Sequence, residues 1–426
     1  MTLAYLRGFR AAHESEARAG ALPTDQNSPR QAPFGLHAEQ INGTGFTTHR
    51  AHNHRTWMYR IRPSVLQSAF EPWSGNARFT GDFTRGIVTP ELLRWKPPAV
   101  HDGDFLDGLV TIAGVGSPEL RSGLAIHAYS TTRSMRRAFY DADGDLLITP
   151  EDGALHVRTE LGLLDVAPGQ ALLIPKGIKF AVDVEGAARG FALEVFSGPF
   201  QLPERGPIGA NGLADARHFE APVAAFEDRE ENTELIAKLG GSLWRAALDH
   251  SPFDVVAWHG NHVPYRYDLR HFNAQGSVTF DHTDPSIYTV LTVPHDAHGN
   301  NVADFVAFTG RWDVAEHTFR PPYFHRNVAT EFNAIVKMKG RANGFEQGVS
   351  FFTPSLTGHG VASSSVRAHL ERSDQAADRP VRIPDDSVWV MFESIFQLKV
   401  MPWMLDAPHR DHDFRAIYED MPVPWT

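Results

Sequence analysis

The chain has 426 residues, 42% of them hydrophobic and 11% aromatic, with no cysteine and a formal net charge of -11. The missing cysteines exclude disulfides, thiolate-bound zinc, iron–sulfur clusters and a thiol nucleophile, so any metal must be held by nitrogen and oxygen donors. The acidic balance carries no basic stripe, which argues against nucleic acid or an anionic membrane surface as a partner.

The length predicts two domains or one large body with a long appendage, and 35 glycines with 29 prolines spread along the chain predict many short strands joined by turns. The expected class is mainly β. Met1–Gly8 turns charged before a signal peptide's apolar core can form, and no window approaches the roughly 20 apolar residues of a membrane span. The expected location is the cytoplasm. Up to about Thr48 the chain lacks periodicity and reads as an irregular arm, and alternating runs begin at Trp57–Arg62.

The clearest β passage is Asp145–Ile148, Ala154–Thr159, Gly162–Val166 and Gln170–Pro175, each run closed by Gly, Pro or acidic turn residues. The phrases Ala167-Pro168-Gly169-Gln170 and Pro175-Lys176-Gly177 resemble the turns of a cupin or jelly-roll barrel. This half lacks a His-x-His with a following Glu, as in a cupin without metal. A helix is predicted over Pro222–Leu239, where Val223, Phe226, Leu235, Ile236 and Leu239 recur among acidic residues. Strands resume at Val278–Phe280, Ile287–Thr292 and Phe305–Phe308. A boundary near residue 270 gives a cupin-like β-sandwich N-terminal domain, 1–270, and a smaller β-rich catalytic domain, 271–426.

The chemistry concentrates in Arg320–Glu331 and in Gly358-His359-Gly360. His325, Glu331 and His359 can occupy one face of a divalent ion and leave the opposite positions open, the arrangement of non-haem Fe(II) oxygenases. The competing reading makes His325 a core histidine and Glu331 the partner of Arg326. Arg320, Tyr323 and Asn327 add the donors that an anionic aromatic substrate requires. They can equally be a structural Arg and a packed Tyr. His282, in Phe280–Ser286, offers an imidazole suited to a phenolic proton at neutral pH, or else a surface histidine beside an Asx turn.

Other patterns carry less. Asp141-Ala142-Asp143-Gly144-Asp145 lacks calcium-loop spacing and reads as a hairpin turn. Gly114-Val115-Gly116 lacks a third glycine, and the tail His409–Asp413 reads as a solvated charged end. His52, His54, His259 and His262 are possible extra ligands without a spaced acidic partner.

Longer segments are recognisable together: Tyr5–Phe9, Gln26–Pro29, His37–Gln40, Gly206–Ala214, His250–Asn261, Asp284–Ile287 and Arg320–Tyr323. Through them the chain resembles the homogentisate 1,2-dioxygenase family over nearly its whole length. The resemblance implies a cupin-like N-terminal domain, a smaller domain holding Fe(II), and a homohexamer built as a dimer of trimers. It implies His325, Glu331 and His359 as iron ligands, with His359, Tyr323, Arg320 and Asn327 toward the substrate and His282 as the active-site base. The implied reaction opens the ring of homogentisate, a para-diphenol with an anionic side chain, with O2 to give maleylacetoacetate in tyrosine and phenylalanine catabolism.

Two positions depart from the family pattern. The segment Phe332–Arg341 has no tyrosine and is shortened, and Thr353 stands six residues before His359 where the family has a histidine. These changes leave three readings: homogentisate as substrate, a differently substituted hydroquinone, or a catalytically silent cupin-type binding protein. The last has no chemical need for His282, His325, Glu331 and His359 together.

Overall fold

The computed structural model describes residues 3–275, 281–295, 299–314, 318–319, 322–340, 344–372 and 379–425. The expected strand at Val278–Phe280 lies outside them, as does Arg320. The architecture is mainly β, as the glycine and proline distribution predicts. A nine-stranded sheet and a seven-stranded sheet form a cupin-like sandwich. Leu146, Leu172 and Leu193 of the first sheet and Val157, Phe180 and Leu235 of the second belong to one buried core. The run read as strands from Asp145 to Pro175 forms Asp145–Asp152, Leu155–Thr159, Gly162–Val166 and Gln170–Ile174.

Three expectations are corrected. The predicted helix over Pro222–Leu239 is instead the strand Phe219–Pro222, an irregular stretch, and the strand Thr233–Leu239. That last strand turns through Gly240 and Gly241, at φ 62° and 73°, directly into Ser242–Leu248, with Leu239 opposite Ser242. Two successive positive φ values make the two-residue hairpin loop that glycine favours.

The arm before Thr48 is not irregular throughout: it supplies Tyr5–Arg7, His13–Glu16 and His37–Asn42, whose partners include strands more than 200 residues away. Such short edge pieces leave little local periodicity to read. Asp141–Asp145 is not a hairpin turn but a corner that carries the chain from the seven-stranded sheet into the nine-stranded one. Asp141, Asp143 and Glu194 converge there, and buried Lys238 supplies the cation, with Nζ 3.0 Å from Asp143 Oδ2 and bonded to Glu194.

A six-stranded sheet follows, in the order Thr289–Pro294, Asn301–Phe308, Val388–Ser394, Thr330–Lys337, Ser350–Thr353, Leu93–Trp95. Its last strand comes from the N-terminal half, and Lys399–Val400 returns the exchange by pairing with Val110–Ser117 at the edge of the nine-stranded sheet. Phe332 points from the six-stranded sheet onto Phe191 of the sandwich, ring centroids 5.5 Å apart, so the two bodies share apolar packing. Because successive strand residues face opposite sides, burying Phe332 in this contact turns Glu331 to the other face. No helix among the described residues is long and apolar enough to cross a membrane.

Candidate functional site

Glu331 enters the site from the second position of Thr330–Lys337, a strand buried nearly throughout. Opposite it in register stand Thr353 on one neighbouring strand and Glu393 on the other, and Asp304 stands opposite Glu393. Directly opposed residues share a face, so a polar row crosses an otherwise apolar sheet.

The two loops that continue beyond the paired strands, 322–329 and 354–362, run side by side. Leu356 N donates to Asn327 O at 2.6 Å, and His325 and His359 exchange backbone hydrogen bonds of 3.1 Å each way. That exchange sets the two imidazoles 4.1 Å apart, centroid to centroid.

Each ring is aimed by a carbonyl. His325 Nδ1 donates to Tyr323 O at 3.1 Å and His359 Nδ1 to Thr357 O at 2.9 Å. With the proton held at Nδ1, each Nε2 presents a lone pair. His325 Nε2 lies 4.0 Å from Glu331 Oε1 and His359 Nε2 lies 3.6 Å from Glu331 Oε2. One ligand atom from each of the three residues falls within 4.8 Å of the others.

His359 Nε2 is buried and has no hydrogen-bond partner among the described residues. A lone pair facing a carboxylate oxygen at that distance is satisfied by a cation between them, so the residues fit a divalent metal. Two imidazoles and one carboxylate match the donor set of non-haem iron sites.

The electrostatics agree with a cation-seeking cluster. Burial pushes the Glu331 carboxyl up, but the facing His359 and His325 imidazoles and the Asn327 amide outweigh it and leave Glu331 below its ordinary value. Burial works to lower His359, and Glu331 with the Thr357 carbonyl reverses this, leaving it above the usual imidazole value. Glu393 is pushed up to about 7 by burial and by the nearby Glu331 and Asp304 carboxylates.

Asn327, expected to face substrate, divides its amide between the two carboxylates: Nδ2 lies 3.3 Å from Glu331 Oε1 and 3.3 Å from Glu393 Oε1. Tyr323 sits between His282 and His325, at 5.5 and 5.6 Å between ring centroids. His282 donates from Nε2 to the Phe319 carbonyl, which leaves Nδ1 as its basic atom. Asp284 makes the Asx turn by accepting from Ser286 N at 2.9 Å.

Next to the imidazoles opens a cleft of ≈ 580 Å³ lined by His325, His359, Phe324, Arg326, Arg415 and Tyr418, among others. Glu393, Arg415 and Tyr418 escape a reading by spacing. A carboxylate inside the apolar run Val388–Ser394 is the one local signal for Glu393. Arg415 and Tyr418 arrive from the tail, which is not a free charged end: Asp411 pairs with the buried Arg94, and Asp411 N donates to Arg94 O at 2.8 Å. His52, His54, His259 and His262 join neither group of convergent ligands found among the described residues. Gly114 and Gly116 lie within the strand Val110–Ser117, where a side chain on Gly114 would strike the Phe83 ring.

Among solved structures, the chain is similar to the protein Ylba from E. coli, at 10% identity over 73% of this chain and 94% of that one, with a TM-score of 0.31. It is similar to a cupin 2 conserved barrel domain protein from Leptotrichia buccalis at 9% identity over 68% and 88%, TM-score 0.29. An oxalate decarboxylase variant from Bacillus subtilis matches at 13% identity over 73% and 78%, TM-score 0.29. Family models described as homogentisate 1,2-dioxygenase N-terminal and C-terminal match residues 4–269 and 270–423. The family is one of non-haem iron dioxygenases, enzymes that incorporate both atoms of O2. The chain therefore belongs to the homogentisate 1,2-dioxygenase family.

Proposed function

We propose that the protein is an Fe(II)-dependent ring-cleaving dioxygenase that converts homogentisate and O2 to maleylacetoacetate, with His325, Glu331 and His359 as the iron ligands. The observation that carries this reading is the convergence of two carbonyl-anchored imidazoles on one buried carboxylate, with His359 Nε2 left unpartnered. Iron bound there would supply the electron-transfer chemistry that lets O2 react with the closed-shell ring.

The protein's own part is positioning and proton handling. His282 accepts the hydroxyl proton of the diphenol at Nδ1, because Nε2 is committed to the Phe319 carbonyl. Tyr323, between His282 and His325, would contact the ring. Asn327 holds the Glu331 carboxylate, and Arg320 is assigned to the substrate from the family resemblance alone. The dimer-of-trimers hexamer and a cytoplasmic setting belong to the same proposal on the same resemblance.

A specific observation favours a second reading, in which the ring is a differently substituted hydroquinone. Thr353, 4% exposed, stands directly opposite Glu331 where the family pattern has a histidine, so the change falls beside the ligand set. The expected result for the first reading is about one Fe(II) per chain and oxygen uptake with homogentisate that exceeds uptake with gentisate or other hydroquinones. A different best substrate selects the second reading. His325→Ala and Glu331→Ala are each expected to abolish iron binding and turnover, and full activity in either removes the ligand assignment.

A further inference from the structure

The cleft beside His325 and His359 carries two cationic side chains, and none of the described residues that line it is acidic. In a chain of net charge -11 that imbalance is local. Arg326 has no carboxylate partner among the described residues. Among the described residues Arg415 has one ion pair, to Glu91 at 3.7 Å, with both side chains more than half exposed. A pair so solvated holds its arginine only weakly.

Both side chains nevertheless spring from fixed backbone. Arg326 lies between His325, bonded to His359 across the loops, and Asn327, which receives Leu356 N. Arg415 lies on the short turn Phe414–Tyr418, whose buried Phe414 packs under the Arg94 guanidinium at 4.6 Å. Tyr418 Oη anchors the other end of the turn by donating to Gly360 O at 3.3 Å.

Resting on the reading of this site as a diphenol pocket, we propose that Arg326 and Arg415 form an anion clamp that receives the substrate's carboxylate side chain and restricts the enzyme to acid-bearing rings. A guanidinium presents a planar fork of donors that matches a carboxylate, and two such groups lining one cleft favour an anion over an isosteric neutral group. The clamp orients the ring from its side-chain end, while the metal site holds the hydroxyl end.

The test is equilibrium binding by calorimetry, without O2, of 4-hydroxyphenylacetate and its uncharged amide to the iron-loaded protein and to R326Q and R415Q. The wild type is expected to bind the anion about tenfold or more tightly than the amide, and each variant to lose most of that preference while amide affinity stays within about twofold. No anion preference in the wild type, or an unchanged preference in R415Q, overturns the clamp. R415Q decides the matter should R326Q, adjacent to His325, lose iron. Oxygen uptake in the wild type is scored separately: its absence with every diphenol removes the ring-cleavage reading, while the anion-to-amide ratio still decides the clamp.

Discussion

Asn327 has one amide nitrogen and two carboxylates to serve, Glu331 and Glu393, each at 3.3 Å. Its Oδ1 accepts from Ala329 N at 3.1 Å, which fixes which edge of the amide faces the acids. Removing a group that orients a metal ligand costs metal affinity more than fold stability, so Asn327→Ala is expected to weaken Fe(II) binding about 10- to 100-fold. Competition against a chelator would measure this, and unchanged affinity would return Asn327 to a substrate-facing role. His325, Glu331 and His359 were legible as a set because imidazole and carboxylate are the donors left to a chain without cysteine. Glu393 was not, since only the pairing of Thr330–Lys337 with Val388–Ser394 brings it beside Glu331.

The strand Thr233–Leu239 shows why an element can be misread. Leu235, Ile236 and Leu239 fit a helical period as well as an extended one, and the decisive sign is the Gly240-Gly241 pair that ends the run. Extended geometry puts Lys238 in the interior, fully buried, where a surface helix would have left it in water. There it bonds Asp143 and Glu194, while burial and the Glu194 carboxylate raise Asp141 well above the usual carboxylate range. Lys238→Met leaves these acids with no facing ammonium, and breaking a buried ion pair at one partner costs about 3–5 kcal/mol. A fall of that size in denaturant unfolding is the expected result, and a neutral outcome would mean that the acids take up protons at little cost. The sandwich strands from Asp145 onward were legible because each ends at a turn residue, whereas Tyr5–Arg7 and His13–Glu16 are only three and four residues long and have remote partners.

Across the whole molecule, acid is expected to destabilise the fold through buried histidines. Burial holds His262 at about 4 against its ordinary 6.5, and His54 at about 4, while burial and the nearby Lys238 ammonium hold His127 at about 3. Below pH 6.5 the unfolded chain binds protons that the folded chain refuses, so stability is full above that pH, falls as pH drops, and levels off below the folded values. For His262 alone the loss reaches on the order of 3 kcal/mol. In His262→Gln the dependence of unfolding free energy on pH between 6.5 and 4 should shrink by about one proton, and an unchanged slope would refute the assignment.

The strand exchange between the halves has a consequence for the order of events at the ribosome. Leu93–Trp95, the edge partner of Ser350–Thr353, is synthesised some 250 residues before the sheet it completes, so it waits unpaired while the sandwich around it can already collapse. Lys399–Val400 and the segment that brings Arg415 and Tyr418 to the cleft emerge only after His325, Glu331 and His359. Long-range pairings of this kind form late. A nascent chain can therefore contain His325, Glu331 and His359 and still lack the cleft beside them.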